Sequence, residues 1–420
     1  MTMSGRLRDY CLSAQSAGDT FVGLRFDEHG PRVVFPRGFP IADDDRECRK
    51  DILALLAVLR RFPDRQEGET TRRGVINPTD FPLFSYLYVI RHFLSHGYYV
   101  EREMRFNRAP RGKISWKRTI QQEKPMMSNG CPVYLNFRVI SQKINDRSLI
   151  TGIHKYCVYK SFHLLGWLYP PIDALPEKPK LVYNRRLFTN ALRSALNNTY
   201  NDSKRELFRC MLNIVESNPD MYDSHDRSIG VNRFEYVWEK LVEHVFGIGT
   251  AEKENFLPTA TWHMLTSKAE VFKPTSLRPD TIMLHEGDVY VLDAKYYKYG
   301  YTRRPEHLPG ASDIQKQITY GKYIKERFPA YNHVYNSFIM PFQGDGKLLS
   351  LAAVSVGTAD WEQYNYLAPE YLYVLGVLAD TKWLISGYAR ISESAVQLLS
   401  ETIVKTLHQY REPEAVSDAH

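Results

Sequence analysis

The sequence predicts an α/β fold for the C-terminal part of the chain and an α+β fold for the part before it. In the C-terminal part, apolar runs of strand length alternate with amphipathic helical patterns, which is typical of a mixed central sheet flanked by helices on both faces. The run Val289–Leu292 is apolar at every position, as expected for a central strand that is buried on both sides. A length of 420 residues suits two or three domains, each with its own core.

Strand and helix patterns are mixed over residues 1–170, which we expect to form an N-terminal α+β portion. Apolar residues bounded by turn residues predict strands at Phe21–Phe26, Arg32–Phe35 and Pro132–Ile144. Apolar residues at helical spacing predict helices at Asp51–Phe62, at Ile150–Trp167, and between Pro82 and Gly97.

A proline-rich segment follows this portion. Tyr169–Lys180 contains four prolines, which favour a connector over a regular element. We therefore expect residues 171–232 to be a helical connector, with a helix around Leu187–Asn197. Residues 233–410 would form the C-terminal domain, and residues 411–420 a flexible tail.

The C-terminal domain is predicted from a succession of helix and strand patterns. Its helices are expected at Phe234–Phe246, Asp313–Phe328 and Ser394–Tyr410, the last capped by Ser392 or Ser394. Its strands are expected at Thr281–Leu284, Val289–Asp293, His333–Phe342, Leu349–Val356 and Tyr371–Leu378.

The composition argues against several classes of protein. The five cysteines are an odd number and no two lie closer than 26 residues, so neither a disulfide framework nor a thiolate zinc site is predicted, and a reducing, cytoplasmic compartment is favoured. The longest apolar runs are too short to span a bilayer, and the first residues lack the apolar segment of a signal peptide, so no membrane role is expected. The net charge of +7 is compatible with an anionic partner.

The segment from residue 278 to residue 295 carries the clearest chemical signal. Its turn sequence Glu-Gly-Asp, centred on Gly287, separates two apolar runs and predicts an antiparallel hairpin. With Gly287 at the centre, residue 280 would face residue 294 and residue 281 would face residue 293, so Asp280 and Asp293 would be neighbours across the ladder. Two carboxylates at this spacing can share a divalent cation, and Lys295 lies on the same strand face as Asp293.

Two interpretations of these three residues are open. In the first, Asp280 and Asp293 hold Mg²⁺, which activates a water, and Lys295 positions the attacking hydroxide at a phosphodiester. In the second, Asp293 and Lys295 form only an ion pair where a strand meets solvent.

The helix predicted after the hairpin carries a glutamine on its apolar stripe. Ser312 and Gln315 fit a capping box that opens this helix. Gln317 shares a face with the apolar residues, whereas Lys316 points outward. Gln317 would contact a phosphate or a water in one interpretation, and would be a core amide satisfied by the backbone in the other.

The helix predicted before the hairpin carries two acids beside its apolar stripe. Glu235 and Glu239 flank the buried face of Phe234–Phe246, from which either can reach the end of the sheet. Most glutamates in such positions are simply solvated.

A basic stretch lies earlier in the chain. Arg102–Arg118 contains seven basic residues and one acid, with two aromatic residues among them. Such a stretch can bind DNA phosphates in a way that depends on salt and not on base sequence. It can equally be a solvated hairpin or a surface for an acidic partner. The DNA-binding candidates are Arg111, Lys113, Lys117 and Arg118.

The chain resembles a known nuclease family in four segments: WEKLVEHVFG, RPDTIML, VYVLDAKYY and DIQKQITYGKY. These look like the core of PD-(D/E)XK nucleases, and more narrowly like LlaJI-type restriction endonucleases, relatives of the McrC nuclease subunit. Residues 111–120 and 132–134 resemble the N-terminal region of the same proteins. The resemblance touches most of residues 70–340 and is most specific in the C-terminal half.

The resemblance implies roles for individual residues. Asp280, Asp293 and Glu239 match the metal ligands, with Glu235 as the alternative to Glu239. Lys295 matches the motif lysine. Gln317 matches the glutamine of the following helix, although McrC-like sequences place it one residue earlier, where this chain has a lysine.

The resemblance also implies a function and partners. It implies a PD-(D/E)XK domain that cleaves double-stranded DNA with Mg²⁺, or with Mn²⁺ in its place, within a restriction or phage-defence complex. Such subunits work with an AAA+ NTPase of the McrB type, and because this chain contains no Walker A sequence the motor would be another polypeptide. A cognate DNA methyltransferase can belong to the same system. The alternatives are a non-catalytic DNA-binding scaffold that tethers the motor, and a metal-dependent nuclease acting on other nucleic acids.

Overall fold

A computed structural model describes most of the chain, namely residues 6–14, 20–27, 30–62, 75–76, 81–170, 174–217, 227–265, 271–272, 277–344, 355–359, 369–388 and 393–411. The chain forms two compact units. The insertion unit contains Phe81–Ser224, and the discontinuous unit contains Ser4–Asp80 and His225–His420.

The discontinuous unit begins with short strands and one long helix. These are β1 (Cys11–Ser13), β2 (Val22–Asp27), β3 (Gly30–Phe35), α1 (Asp45–Arg61) and β4 (Val75–Ile76). The helix α1 begins earlier than the predicted Asp51, because the side chain of Asp44 accepts a hydrogen bond from the backbone N–H of Glu47 and caps the first turn at 2.9 Å.

The insertion unit is mainly helical, with two small antiparallel ribbons. Its elements are α2 (Leu83–His96), β5 (Glu101–Ala109), α3 (Trp116–Gln122), β6 (Met126–Ser128), β7 (Cys131–Val133), β8 (Phe137–Asn145), α4 (Leu149–Leu165), α5 (Arg185–Asn197) and α6 (Asp202–Glu216). The ribbons are β5 with β8 and β6 with β7. The single strand predicted over Pro132–Ile144 is therefore wrong: the segment contributes to two strands in different ribbons.

Strand β9 (Arg227–Val231) returns the chain to the first sheet. It pairs antiparallel with β2 and parallel with β4, giving the order β1-β3-β2-β9-β4. This pairing places β1, β2, β3 and β4 in one sheet with β9, so the observed division differs from the expected boundaries at residues 170 and 232. The proline-rich segment and helices α5 and α6 lie within the insertion unit instead of linking two domains.

The remaining elements build a second sheet with its helices. They are α7 (Phe234–Phe246), α8 (Thr250–Lys253), β10 (Trp262–His263), β11 (Val271–Phe272), β12 (Thr281–His285), β13 (Asp288–Ala294), α9 (Tyr299–Thr302), α10 (Ala311–Arg327), β14 (Val334–Phe342), β15 (Ser355–Ala359), β16 (Val374–Asp380), α11 (Thr381–Gly387) and α12 (Glu393–Arg411). The five-stranded sheet has the order β12-β13-β14-β16-β15, with parallel pairs in the centre and antiparallel pairs at both edges.

Helices cover both faces of this sheet, which confirms the mixed α/β prediction. Val289 and Val291 of β13 pack in one buried cluster with Tyr320 and Ile324 of α10. On the opposite face the hydroxyl of Tyr290 hydrogen-bonds that of Ser400 in α12 at 2.9 Å. Alternate residues of β13 therefore point to different helices, and both sets are buried.

Two predicted helix starts need correction. The first residue of α10 is Ala311 and its N-cap is Gly310, which makes no side-chain cap, so the capping box predicted for Ser312 and Gln315 is wrong. Because α10 opens one residue before Ser312, that serine already lies in its first turn. Ser394 lies inside α12, and Ser392 is outside the described residues, as are most of the strand predicted at Leu349–Val356 and the tail beyond residue 411.

Candidate active site

The turn between β12 and β13 sets the register at the site. Glu286 and Gly287 both adopt left-handed conformations, with φ of 48° and 85°, in a two-residue turn that pairs His285 with Asp288. The ladder continues to Thr281 opposite Leu292. The predicted register, with residue 281 opposite residue 293, is therefore wrong by one residue, because the turn is centred between Glu286 and Gly287 and not on the glycine.

The observed register brings Asp280 and Asp293 closer together than the predicted register would. Extending it by one position places Asp280 directly opposite Asp293. A carboxylate oxygen of Asp280 accepts a hydrogen bond from the backbone N–H of Ala294 at 3.0 Å, and the Asp280 carbonyl oxygen accepts one from the ammonium of Lys253. That ammonium also lies 2.7 Å from Glu243. Asp280 is thus fixed through both its side chain and its backbone, and no sequence pattern had singled out Lys253.

The two aspartates form an acidic pair in which Asp293 is buried and Asp280 is half-buried. Asp293 is only 4% exposed. Burial, together with a hydrogen bond to Asp293 and its negative charge, raises the pKa of Asp280 to about 8. Two acids in contact at a buried sheet end are disfavoured as two free anions, and their oxygens are the ligands that a hard divalent cation prefers. The donor set therefore fits such an ion.

Glu239 faces this pair from α7, whereas Glu235 does not. Burial and then the charge of Asp293 raise the pKa of Glu239. Glu235 instead lies 3.0 Å from the guanidinium of Arg233 in a half-exposed ion pair. The indole N–H of Trp238 fixes α7 against the sheet by donating to the carbonyl of Ile339 at 3.1 Å.

The three predicted metal ligands do not form a closed cluster. Among the residues that the structure describes, no three side chains of histidine, cysteine, aspartate or glutamate are spaced to hold a metal ion together. Asp280 and Asp293 are in contact, and Glu239 lies within electrostatic reach of both.

Lys295 lies between two carboxylates. Its ammonium is 2.9 Å from Asp293 and 3.0 Å from Asp313, the latter in the first turn of α10. Burial opposes its charge, but Asp293 and then Asp313 outweigh that effect and hold the pKa of Lys295 above its ordinary value. Lys295 is consequently an ammonium at neutral pH, suited to binding an anion and not to accepting a proton.

Gln317 is buried as predicted but is turned toward a neighbouring strand. It is 1% exposed, and its amide N–H donates to the carbonyl of Ser337 in β14 at 3.4 Å. Lys316 is exposed, so the predicted orientation of the two residues is confirmed. In the described part of the chain Gln317 makes no hydrogen bond to Asp280, Asp293 or Lys295.

Two residues of α10 reach the site although the sequence analysis gave them no role. Asp313 lies four residues before Gln317 and so on the same helix face, a spacing that could have revealed it. The hydroxyl of Tyr320 is buried and has no hydrogen-bond partner among the residues that the structure describes. Burial, followed by the charges of Asp293 and Asp280, raises the pKa of that hydroxyl.

The predicted DNA-binding residues lie in the insertion unit, and the acids in the discontinuous unit. The basic candidates are all exposed around the end of the β5–β8 ribbon and on α3: Arg111, Lys113, Lys117 and Arg118. Gly112 has φ of +134°, and a Cβ there would approach Val139 at 2.3 Å, so the turn requires glycine. Two nearby arginines, Arg108 and Arg138, are instead held by the buried carboxylate of Glu123.

The described helices include none that is both long and apolar enough to cross a membrane.

This chain is similar in sequence and structure to known proteins. Residues 21–358 match the family described as LlaJI restriction endonuclease. The "Type II restriction enzyme BsuMI component YdjA" of Bacillus subtilis (strain 168) is 24% identical over 290 residues, which are 66% of this chain and 61% of that relative. The chain therefore spans less than two thirds of the length of this relative. A solved structure, the "Refined half-complex from tetradecameric assembly of Thermococcus gammatolerans McrB AAA+ hexamers with bound McrC", is similar with a TM-score of 0.37 and 14% identity, over 92% of this chain and 83% of the matched one.

Proposed function

Because the chain belongs to the LlaJI restriction endonuclease family, we propose that it is the DNA-cleaving subunit of a restriction or phage-defence system. The observation that carries the proposal is the contact between Asp280 and Asp293 at a sheet end, with the ammonium of Lys295 beside them at 2.9 Å from Asp293. We assign the second sheet and its helices to the PD-(D/E)XK nuclease fold.

The acidic pair is the proposed metal site. Asp280 and Asp293 would hold Mg²⁺, or Mn²⁺ in its place, with Glu239 on the side of α7. When bound, the ion supplies a water of lowered pKa and neutralises the charge that develops on a phosphate. The raised pKa of Asp280 supports this role, because burial and the negative charge of Asp293 disfavour its carboxylate, which a bound cation would stabilise.

Lys295 would act on the substrate, and Asp313 and Gln317 would hold the site in position. The ammonium of Lys295 binds a non-bridging oxygen of the scissile phosphate or orients the attacking water, since it is held charged at neutral pH. Asp313 positions Lys295 from α10. Gln317 supports this arrangement by joining α10 to β14.

The substrate and partners are part of the same proposal. We propose double-stranded DNA as the substrate, bound in part by the phosphate contacts of Arg111, Lys113, Lys117 and Arg118. The family resemblance supports an AAA+ NTPase of the McrB type as the motor subunit, with a DNA methyltransferase in systems that protect the host DNA.

Plasmid cleavage tests the proposal. The full chain is incubated with its motor, nucleotide and Mg²⁺, and we expect cleavage that is lost in Asp293→Ala and in Lys295→Ala. Asp288→Ala is the matched control, because Asp288 begins the same strand at its other end, where its side chain accepts a hydrogen bond from the backbone N–H of His333 at 3.0 Å. Cleavage that persists unchanged in Asp293→Ala would overturn the site assignment.

A calorimetric titration separates the nuclease from a non-catalytic scaffold. A nuclease with this site binds Mg²⁺ or Mn²⁺ in a manner that Asp280→Asn abolishes. A scaffold shows no binding that depends on Asp280, whatever its affinity for DNA.

A further inference from the structure

A second feature of the discontinuous unit lies next to the acidic pair. A cleft of about 350 Å³ is lined by residues from both ends of the chain, among them Ala14 and Arg37 from the N-terminal part and Glu239, Lys295 and Tyr297 from the C-terminal part. Its volume is at the lower end of the range of about 300–1,000 Å³ for small-molecule sites. One nucleotide is a ligand of the corresponding size.

The backbone of Arg37 is fixed against the strand end that carries Lys295. The backbone N–H of Arg37 donates to the hydroxyl of Tyr296 at 2.7 Å. The Tyr296 ring packs against Phe234 and Trp238 of α7, with ring centroids 5.3 and 6.1 Å apart. Because Tyr296 directly follows Lys295, this hydrogen bond holds the backbone of Arg37 close to the end of β13.

The residue after Arg37 strengthens this attachment. Gly38 has φ of +74°, and a Cβ there would approach the ring of Tyr301 at 2.5 Å. The main chain at residues 37 and 38 therefore packs closely on the segment that follows β13. Tyr296 and Tyr301 therefore fix the backbone of Arg37.

The guanidinium of Arg37 has no carboxylate partner in the described part of the chain. The residue is half-buried, and the cleft that it lines also exposes the ammonium of Lys295. With no carboxylate beside it among the described residues, this guanidinium can bind an anion that enters the cleft. The planar guanidinium offers paired donors that suit a phosphate.

We infer that this cleft is a nucleotide-binding subsite in which Arg37 holds a backbone phosphate of the substrate strand next to the scissile bond. The inference rests on the proposed function and extends it to the N-terminal segment. Tyr297, which is half-buried, adds aromatic surface to the cleft, on which a sugar or base can pack. The segment that follows β3 thereby contributes directly to substrate binding.

Salt-dependent DNA binding tests the role of Arg37 without cleavage. A fluorescent DNA duplex is titrated with the full chain in EDTA at several salt concentrations, and anisotropy gives the Kd. Arg37→Gln is expected to weaken binding about tenfold, as for the loss of a charged hydrogen bond. It should also reduce the slope of log Kd against log salt by about 0.9, the value for one phosphate contact.

Two further variants make the result specific. Arg37→Lys keeps the charge and loses the paired donors, so it should retain the wild-type slope with weaker binding. Arg32→Gln is the matched control, because Arg32 lies on β3 in a surface ion pair with Asp27 at 3.4 Å, and it should match the wild type in both quantities.

The outcomes for the two proposals are distinguishable. An Arg37→Gln chain that binds DNA with the wild-type affinity and slope overturns the subsite, even if cleavage depends on Asp293. If cleavage does not depend on Asp293, the proposed function fails, and the slope measured in EDTA still decides whether Arg37 contacts a phosphate. Should Arg37→Gln fail to fold, a folded Arg37→Lys chain with the wild-type affinity gives the same negative answer.

Discussion

The ammonium of Lys295 lies 3.0 Å from a carboxylate oxygen of Asp313, a residue 18 positions later in the chain. The same ammonium lies 2.9 Å from Asp293. The first turn of α10 is thereby joined to the end of β13. One acid of this arrangement belongs to the proposed metal site, and the other keeps the lysine in place.

Removing the charge of Asp313 should impair the site without destroying it. In Asp313→Asn, Lys295 keeps a single carboxylate partner and is drawn toward the proposed metal ligand Asp293. Loss of such a supporting interaction typically costs about 10–100-fold in metal affinity or activity. Cleavage rates measured across a range of Mg²⁺ concentrations would show this as a higher Mg²⁺ concentration at half-maximal rate, or as a lower maximal rate. Ser312→Ala, on the exposed side of the same turn, is the control, and equal rates for Asp313→Asn and wild type would refute the role.

The two glutamates of α7 should differ in their effect on cleavage. Glu239 lies near Asp293, whereas Glu235 is paired with Arg233. We expect Glu239→Gln to reduce activity or Mg²⁺ affinity by about 10–100-fold, and Glu235→Gln to cause a much smaller loss. The two variants remove the same charge from the same helix, one turn apart. A larger loss for Glu235→Gln would exchange their roles.

Asp280 should make the metal-free protein less stable as the pH rises. Its pKa is raised to about 8 in the folded chain, against an ordinary value near 4. Its contribution to the free energy of unfolding is therefore fully present below pH 4 and is lost as the pH rises through about 8. Asp280→Asn mimics the protonated acid at all pH values, so its unfolding temperature should match the wild type near pH 4 and exceed it at pH 8.

Thermal unfolding in EDTA measures this difference. Each 1 kcal/mol corresponds to about 2–4 °C for a unit of this size. At pH 8 and with EDTA replaced by Mg²⁺, the unfolding temperature of the wild type should rise and that of Asp280→Asn should stay unchanged. Asp288→Asn serves as the control for a charge removed from the same hairpin. A wild-type chain that equals Asp280→Asn at every pH would contradict the close contact of the two acids.

Close packing of α10 on the sheet leaves no room for a side chain at Gly321. A Cβ there would lie 2.6 Å from the amide of Asn336 and 2.8 Å from Tyr371. Gly321→Ala should therefore destabilise the discontinuous unit by about 1–3 kcal/mol, although alanine favours a helix. Gly387→Ala at the end of α11 is the control, because a Cβ there meets its nearest atom, in the side chain of Trp383, only at 4.0 Å. Chemical denaturation of both variants measures the difference, and equal stability would contradict this packing.

Local sequence patterns were sufficient for most elements around the site. Phe234–Phe246 was predicted to the residue, because its apolar stripe ends at Gly247. The central position of β13 followed from apolar residues on both of its faces, and the burial of Gln317 from its place on the apolar stripe of α10. These features depend on interactions a few residues apart, which periodicity reflects directly.

Features that depend on conformation or on distant pairing were missed. The hairpin register was displaced because Glu286 adopts a left-handed conformation, which a glutamate rarely does. The pairing of β2 with β9 joins residues on either side of the insertion unit, and no local pattern records it. The positions of Asp313 and Arg37 near Lys295 arise from the same long-range packing.

The basic residues of the insertion unit either contact DNA or form a solvated surface, and the salt dependence of DNA binding decides between the two. Changing Arg111, Lys113, Lys117 and Arg118 to glutamine removes four exposed charges. If they bind DNA, the slope of log Kd against log salt should fall by about 0.9 for each phosphate that is no longer neutralised. The matched control changes four other exposed basic residues of the same unit, Lys178, Lys180, Arg185 and Arg186, and removes the same total charge. Because both variants alter the net charge equally, a general electrostatic effect lowers both slopes alike. A specific DNA surface lowers only the first, and equal slopes for the two variants would leave the basic stretch without a role in binding DNA.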